Sequence, residues 1–217
     1  MAARRNTEGA GLSRLVDRDL TELARAGRLA IAFGVDGAVT ELLALIGRGD
    51  KHPLLAGDPG VGKTALVQEA ARRIVEGKIE PSLAGARVVE ISIATVLARG
   101  EKRAAESLDE LLEWLAENPG TIVYVRDLAA AAGGPAMSVL SRALRGGALR
   151  FVLEADARLA QQLLGADEAL AECVHVLHIG EPPAEQVRSI LAHVAEAVEV
   201  EHSVPVDPEA CDVAQRL

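Results

Sequence analysis

Residues Gly57-Asp58-Pro59-Gly60-Val61-Gly62-Lys63-Thr64 place glycines, a lysine and a hydroxyl at the spacing G-x-x-x-x-G-K-[ST]. Each residue type has a physical task. The glycines let the backbone turn tightly and aim its N–H groups at phosphate oxygens, Lys63 reaches the terminal phosphates, and Thr64 offers its hydroxyl to Mg²⁺. The chemistry this predicts is binding of a nucleotide through its phosphates, with Gly57, Asp58, Pro59, Gly60, Val61, Gly62, Lys63 and Thr64 as the cradle. A turn kept for its shape alone would not need Lys63 and Thr64 side by side. Phe33 and Gly34, upstream of the loop, complete the candidate nucleotide-binding set.

The elements around this loop fit its needs. Pro53-Leu54-Leu55-Ala56 reads as a strand feeding it, and Lys63 to Glu76 reads as a helix leaving it, with Leu66, Val67, Ala70 and Ile74 on one face. Upstream, Leu12 to Gly27 and Asp36 to Ile46 carry apolar residues at helical intervals. Downstream, strand-like runs at 87–93, 121–126, 148–153 and 173–179 alternate with helices near 104–117, 135–145, 156–164 and 183–200. Such alternation predicts an α/β architecture, a parallel sheet covered by helices on both faces with the nucleotide at the carboxyl ends of the strands.

The composition sets limits on partners. A net charge of −9 argues against nucleic acid and anionic membrane, since either demands a basic face. A local cradle of backbone amides still binds an anionic nucleotide. No apolar run has the length of a membrane span, and no apolar stretch follows Arg4 and Arg5, so a cytoplasmic address is expected. Cys173 and Cys211 show no metal-ligand spacing, which fits a reducing compartment. His175 and His178, three apart on a strand, face opposite sides of the sheet and read as structural. His52 reads as a loop residue. Trp114 flanks the Leu108, Leu111, Leu112, Leu115 stripe and reads as packing, and the acids from Glu106 to Glu117 as a solvated helix face.

The run Arg18-Asp19-Leu20-Thr21-Glu22-Leu23-Ala24-Arg25, the strand with its phosphate loop, Ala71-Arg72-Arg73-Ile74-Val75-Glu76-Gly77, Arg99-Gly100-Glu101 and Gly180-Glu181-Pro182 together resemble the first ATPase module of the Clp-type AAA+ unfoldases. The resemblance covers nearly all of residues 18–217. It implies a three-layer P-loop AAA+ fold whose central parallel five-stranded sheet has the order five-one-four-three-two. It also implies hexameric rings with ATP at subunit interfaces. Residues 1–11 are expected to form a flexible tail and 12–205 the nucleotide-binding domain. The start of a truncated small helical subdomain is expected at 206–217, in a chain cut from a longer protein or lacking that lid.

The departures from the family matter most. Its Asp-Glu pair, which organises Mg²⁺ and polarises the attacking water, aligns with Arg126 and Asp127. At an effective dielectric of about 20 and about 4 Å, a unit charge beside Mg²⁺ is worth roughly 8 kcal/mol, so an arginine in place of an acid predicts weak metal binding. Asp127 keeps the charge of the second acid, one methylene short, and is a weak catalytic candidate. Arg126 either faces solvent or lends its guanidinium to the phosphates. The polar residue expected on the fourth strand falls in Val152-Leu153-Glu154-Ala155-Asp156, where Ala155 has no polar side chain. The family's interface arginines align with Glu172 and Cys173, and its aromatic pore residue is absent from Thr95-Val96-Leu97-Ala98.

The resulting expectation is a degenerate Clp-like module holding ATP or ADP, with Mg²⁺ weak and hydrolysis weak or absent. It would serve as a regulatory or scaffolding subunit or a silent ring, with other AAA+ subunits or a protein client as partners in a homo- or hetero-oligomer. The alternative is an active ATP-driven unfoldase that relies on Asp127.

Overall fold

Strands buried on both faces need near-continuous apolar runs, and this chain supplies them in Leu54-Leu55-Ala56, Ile122-Val123-Tyr124-Val125 and Phe151-Val152-Leu153. In the structure, a computed structural model that describes residues 15–98, 100–118 and 120–215, these runs lie in one six-stranded sheet. Its strands are β1 (Arg18–Asp19), β2 (His52–Ala56), β3 (Arg87–Ser92), β4 (Thr121–Arg126), β5 (Arg150–Ala155) and β6 (Val174–His178), in the order β1-β3-β4-β5-β2-β6. All neighbours are parallel except β1 on β3. The five parallel strands, counted from the N-terminus, have the order that the resemblance implies.

Helices cover both faces. One core cluster packs α2 (Asp36–Arg48) and α3 (Lys63–Glu76) on the face that carries Leu55, Val88, Ile122, Tyr124 and Val152. The other packs α4 (Ile93–Leu97), α5 (Glu101–Ala116), α6 (Pro135–Gly146), α7 (Ala157–Ala166) and α8 (Glu168–Cys173) on the face that carries Leu54, Val89, Val123 and Phe151. Trp114 packs against this second cluster, as expected for a stripe-flanking residue. The remaining helices are α1 (Leu20–Arg25), α9 (Ala184–His202) and α10 (Pro208–Ala214). No helix among the described residues is long and apolar enough to cross a membrane.

The first helix departs from its periodicity. Leu12 to Arg14 and the expected tail at 1–11 lie outside the described residues, and from Asp17 to Asp19 the backbone turns to β3 instead of coiling. Asp17 N–H donates to Glu90 O at 2.9 Å, and the Asp19 carboxylate accepts from Glu22 N–H at 3.0 Å, starting α1 only at Leu20. A local N-cap and a pairing partner distant in sequence together outweigh the helical spacing of Leu15, Val16 and Leu20. The sheet therefore has an antiparallel edge strand that a reading of five parallel strands lacks. The strand expected at 87–93 ends one residue early because Ser92 caps α4, its hydroxyl accepting from Thr95 N–H at 3.2 Å.

His52 is not a loop residue. It opens β2, half-buried, with its ring edge-on to Phe151 at a centroid distance of 5.3 Å. Nε2 donates to Leu144 O at 3.0 Å while Nδ1 accepts from Phe151 N–H at 3.3 Å, which selects the neutral Nε2–H tautomer. Burial pushes the imidazole below its ordinary 6.5, against the opposing effect of the Leu144 carbonyl. Because the folded value lies below the unfolded one, the unfolded chain takes up more protons as pH falls, so stability is complete above 6.5 and declines below it. The urea midpoint of the wild type is expected to fall as pH drops below 6.5, and that of His52→Gln to fall less over the same range. Equal slopes in the two proteins would contradict this assignment.

Candidate nucleotide-binding site

The phosphate loop hangs between two parallel neighbours. Gly57 N–H donates to the carbonyl of Ala155, the last residue of β5, at 3.2 Å, and Ile179 N–H, just past the end of β6, donates to Ala56 O at 2.8 Å. A Cβ on Gly57 would stand 2.1 Å from Ile179 O, so no other residue fits there without moving backbone. Gly60 and Gly62 have φ of +92° and +99°, which only glycine adopts without strain. Gly62 is also the N-cap of α3 and offers no side chain, so the first amides of α3 are left to a ligand. Lys63 Nζ folds across the loop and donates to Gly57 O at 2.8 Å and Asp58 O at 2.9 Å.

Beside Thr64 the sheet presents a row of polar groups on the face that carries α3. Glu90, Tyr124, Arg126 and Glu154 come from β3, β4 and β5, whose register sets Ser92 opposite Arg126 and Val125 opposite Leu153. Arg126 Nη1 donates to Glu90 Oε1 at 3.1 Å, and its Nε lies 3.8 Å from Glu154 Oε1. Glu90, buried, also takes both Arg18 Nε at 3.1 Å and Arg18 Nη2 at 2.6 Å. The Tyr124 hydroxyl donates to Glu154 and sits 3.2 Å from Thr64 Oγ1, whose own hydrogen can turn toward it. Burial first, then the Glu154 charge, push the Tyr124 phenol far above its ordinary range, so it stays a neutral donor. Burial would weaken the Arg126 charge, but the hydrogen bond and charge of Glu90 hold its pKa above the ordinary arginine value.

Arg126, Asp127 and Glu154 line one cleft with Gly60, Lys63 and Thr64, of about 480 Å³. Arg126, about a third exposed, lines this cleft with its guanidinium held by Glu90. Asp127 has a φ of +56°, and its carboxylate accepts from Ser92 Oγ at 2.6 Å. Asp156 accepts from Leu159 N–H at 2.7 Å and caps α7, while Ala155 is buried without a polar side chain. The sequence reading missed Glu90 and did not weigh Glu154 or Tyr124 as site residues. The signal was present, since Glu90 interrupts the apolar run Val88-Val89-Glu90-Ile91 and a charge there demands a partner.

A second cleft, of about 780 Å³, adjoins the loop on its other side. Phe33, Gly34 and Val35 form one wall, Ile179 a second, and Ile190 and Val194 of α9 a third. Phe33 stacks on His193 of α9 with centroids 4.4 Å apart and planes at 19°, and Gln186 Nε2 donates to Gly34 O. A mostly apolar slot beside a phosphate cradle suits a flat heterocyclic base. Phe33 and Gly34 line this cleft together with Pro59 to Gly62 of the loop.

The sequence pattern of the "ATPase family associated with various cellular activities (AAA)" matches residues 53–165. The chain belongs to the AAA family. It is a Clp-type module: it is 32% identical over 209 residues to "Chaperone protein ClpB 2" of Parasynechococcus marenigrum and 32% identical over 214 residues to "Chaperone protein ClpB" of Corynebacterium glutamicum. Each alignment covers 92% of this chain but 23% and 25% of the relative, so the chain spans about a quarter of the curated relatives it matches. Among solved structures, the S. cerevisiae Hsp104–ADP complex is similar with a TM-score of 0.83 and 24% identity, over 94% of this chain and 36% of that one. The extended S. cerevisiae Hsp104:casein complex matches with a TM-score of 0.80 and 23% identity, over 94% of this chain and 37% of that one.

Other positions that the Clp resemblance singles out can now be placed in this AAA module. Glu172 is exposed and Cys173 half-buried at the end of α8, so neither supplies a cation there. Thr95 to Leu97 lie in α4, where Val96 is buried in the core, and Arg99 lies outside the described residues. His175 and His178 are both exposed on the edge strand β6, and no group of three or more His, Cys, Asp or Glu among the described residues could hold a metal ion. Because Lys63 carries the loop's mobile charge, Lys63→Ala is expected to weaken ATP binding by about tenfold, equivalent to about 1.4 kcal/mol. Calorimetry giving equal affinity for the two proteins would contradict a role for Lys63 in binding.

Proposed function

We propose that this module binds ATP or ADP and uses the nucleotide structurally, with little hydrolysis, as a regulatory or scaffolding subunit or as the silent ring of a larger assembly. One observation carries the reading: Arg126, paired with Glu90 and near Glu154, stands at the end of β4 where the family's metal-organising acid is expected. Three further features support it. Asp127 is tied to Ser92, Ala155 offers no hydrogen bond to a terminal phosphate, and Glu172 and Cys173 replace the arginines that would reach a neighbouring site. An arginine finger is worth roughly 10³ to 10⁵ in rate where it operates.

The oligomer, the protein client and the cytoplasmic address belong to this proposal as well. Their support is the similarity to ClpB chaperones and to Hsp104, whose compared structures contain ADP in one case and casein in another. Residues 206–217, which include α10, are read as the start of a small helical subdomain. A second reading, an active ATP-driven unfoldase, is favoured by the position of Asp127 in the same cleft as Lys63 and Thr64.

Steady-state turnover separates the two. Phosphate release is expected to stay at the level of the Lys63→Ala control, and Arg126→Asp with Asp127→Glu is expected not to raise it, since the other missing groups act on the same transition state. Turnover well above that control in the unmodified chain would favour the active enzyme.

A further inference from the structure

A divalent ion at a phosphate loop needs the loop hydroxyl and a facing acid, with room for its near-octahedral shell of oxygens. This corner does not fit those needs. Thr64 Oγ1 is 3.2 Å from the buried Tyr124 hydroxyl, and that hydroxyl is bound to Glu154. Glu154 is the acid that this chain of contacts joins to Thr64, and its carboxylate is shared between the phenol and Arg126, whose Nε is 3.8 Å away. The second acid, Asp127, accepts from Ser92. Where the ion's acidic partner would stand there is a guanidinium.

The same corner fits an anion. The Arg126 guanidinium has donors to spare: Nε is buried without a hydrogen bond, although Glu154 Oε1 stands 3.8 Å away. Only Nη1 is anchored, on Glu90, and Glu90 is itself gripped by two donors of Arg18. The guanidinium is therefore held in place before any ligand arrives, lining the cleft with Lys63 and the uncapped start of α3. Its planar fork of donors matches phosphate oxygens. In the row itself the charges of Arg18 and Arg126 cancel those of Glu90 and Glu154, and the other two acids of the cleft, Asp127 and Asp156, already accept from Ser92 Oγ and Leu159 N–H.

Building on the nucleotide-site reading above, we propose that this module takes up its nucleoside phosphate without a divalent metal, with Arg126 in the ion's place against the phosphates and Glu90 as its positioning residue. Bound to this chain, metal-free ADP is the preferred ligand over its metal complex.

The test is calorimetry of ADP with the 217-residue chain in excess Mg²⁺ and in EDTA, beside electron paramagnetic resonance of Mn²⁺ in the presence of ADP. The wild type is expected to bind ADP more weakly in excess Mg²⁺ than in EDTA, because the metal competes for the ligand, and adding it to Mn²⁺–ADP is expected to raise the signal of free aqueous Mn²⁺. Arg126→Gln is expected to lose about tenfold in affinity in EDTA, with Arg126→Lys in between. Arg126→Asp is expected to gain a dependence on Mg²⁺, and circular dichroism of each variant checks that it folds. Glu154→Gln is expected not to gain a dependence on Mg²⁺, because Glu154 is not a metal ligand here. A loss of about tenfold or more in wild-type affinity on adding EDTA, or Mn²⁺ retained in a complex with protein and ADP, would overturn the inference and leave the nucleotide site standing. Absence of ADP binding in both buffers would overturn the nucleotide site itself, and the inference with it.

Discussion

A charge inside a sheet covered on both faces must be met by a partner on a neighbouring strand, and this requirement organises the carboxyl edge of the sheet. The contacts run without a break from Arg18 on β1 to Glu90 on β3, Arg126 on β4, Glu154 on β5, Tyr124 and finally Thr64 at the start of α3. Each step depends on strand register. Glu90 stands opposite Tyr124 and Ser92 opposite Arg126, so Arg126 meets Glu90 on the diagonal, on one face of the sheet. Removing Glu90 takes from Arg18 and Arg126 the carboxylate they share, at a cost that solvent reduces because both arginines are about a third exposed.

The edge strand follows from the same requirement. Two residues of β-pairing could not hold β1 in place by themselves. Arg18 on Glu90, the Asp17 carboxylate on Ser92 N–H and Arg87 Nε on Asp19 Oδ2 at 2.5 Å fasten it instead. Ser92 is engaged on two sides, since its hydroxyl also donates to Asp127. The N-terminal edge of the module is thereby joined to Arg126 and Asp127 beside the phosphate loop. A short, charged antiparallel strand also closes the β3 edge against pairing with other chains.

What was legible in the sequence was whatever is encoded locally. The helix from Lys63 to Glu76 could be read to the residue, because a helical stripe is a property of consecutive positions. The alternation of strands and helices gave the parallel sheet for the same reason. The pairing of Arg126 with Glu90 was not legible, since it needs the register between β3 and β4, which no local pattern contains. The first helix misled for a related reason. Its leucines are spaced for a helix, yet Leu15 packs in the cluster on one face of the sheet and Leu20 in the cluster on the other. His52 showed no pattern at all, because its role rests on carbonyl and amide groups contributed by Leu144 and Phe151.

The two halves of the chemistry that the Clp resemblance implies rest on different physical supports, which makes the proposed reading, one half kept without the other, physically possible. Phosphate recognition here is carried mostly by backbone: glycine conformations, the open start of α3 and the close passage of Ile179 past Gly57. Those features are locked into the packing of β2, β5 and β6 and cannot drift without disturbing the core. Metal handling and hydrolysis depend on side chains at strand ends, where Ile122 to Val125 remain buried whatever residue follows them. An arginine at position 126 therefore asks nothing of the core, only a compensating acid within reach, and the sheet supplies Glu90 and Glu154 from either side. The fold is indifferent to the exchange, whereas on the proposed reading the charge presented to a nucleotide is reversed.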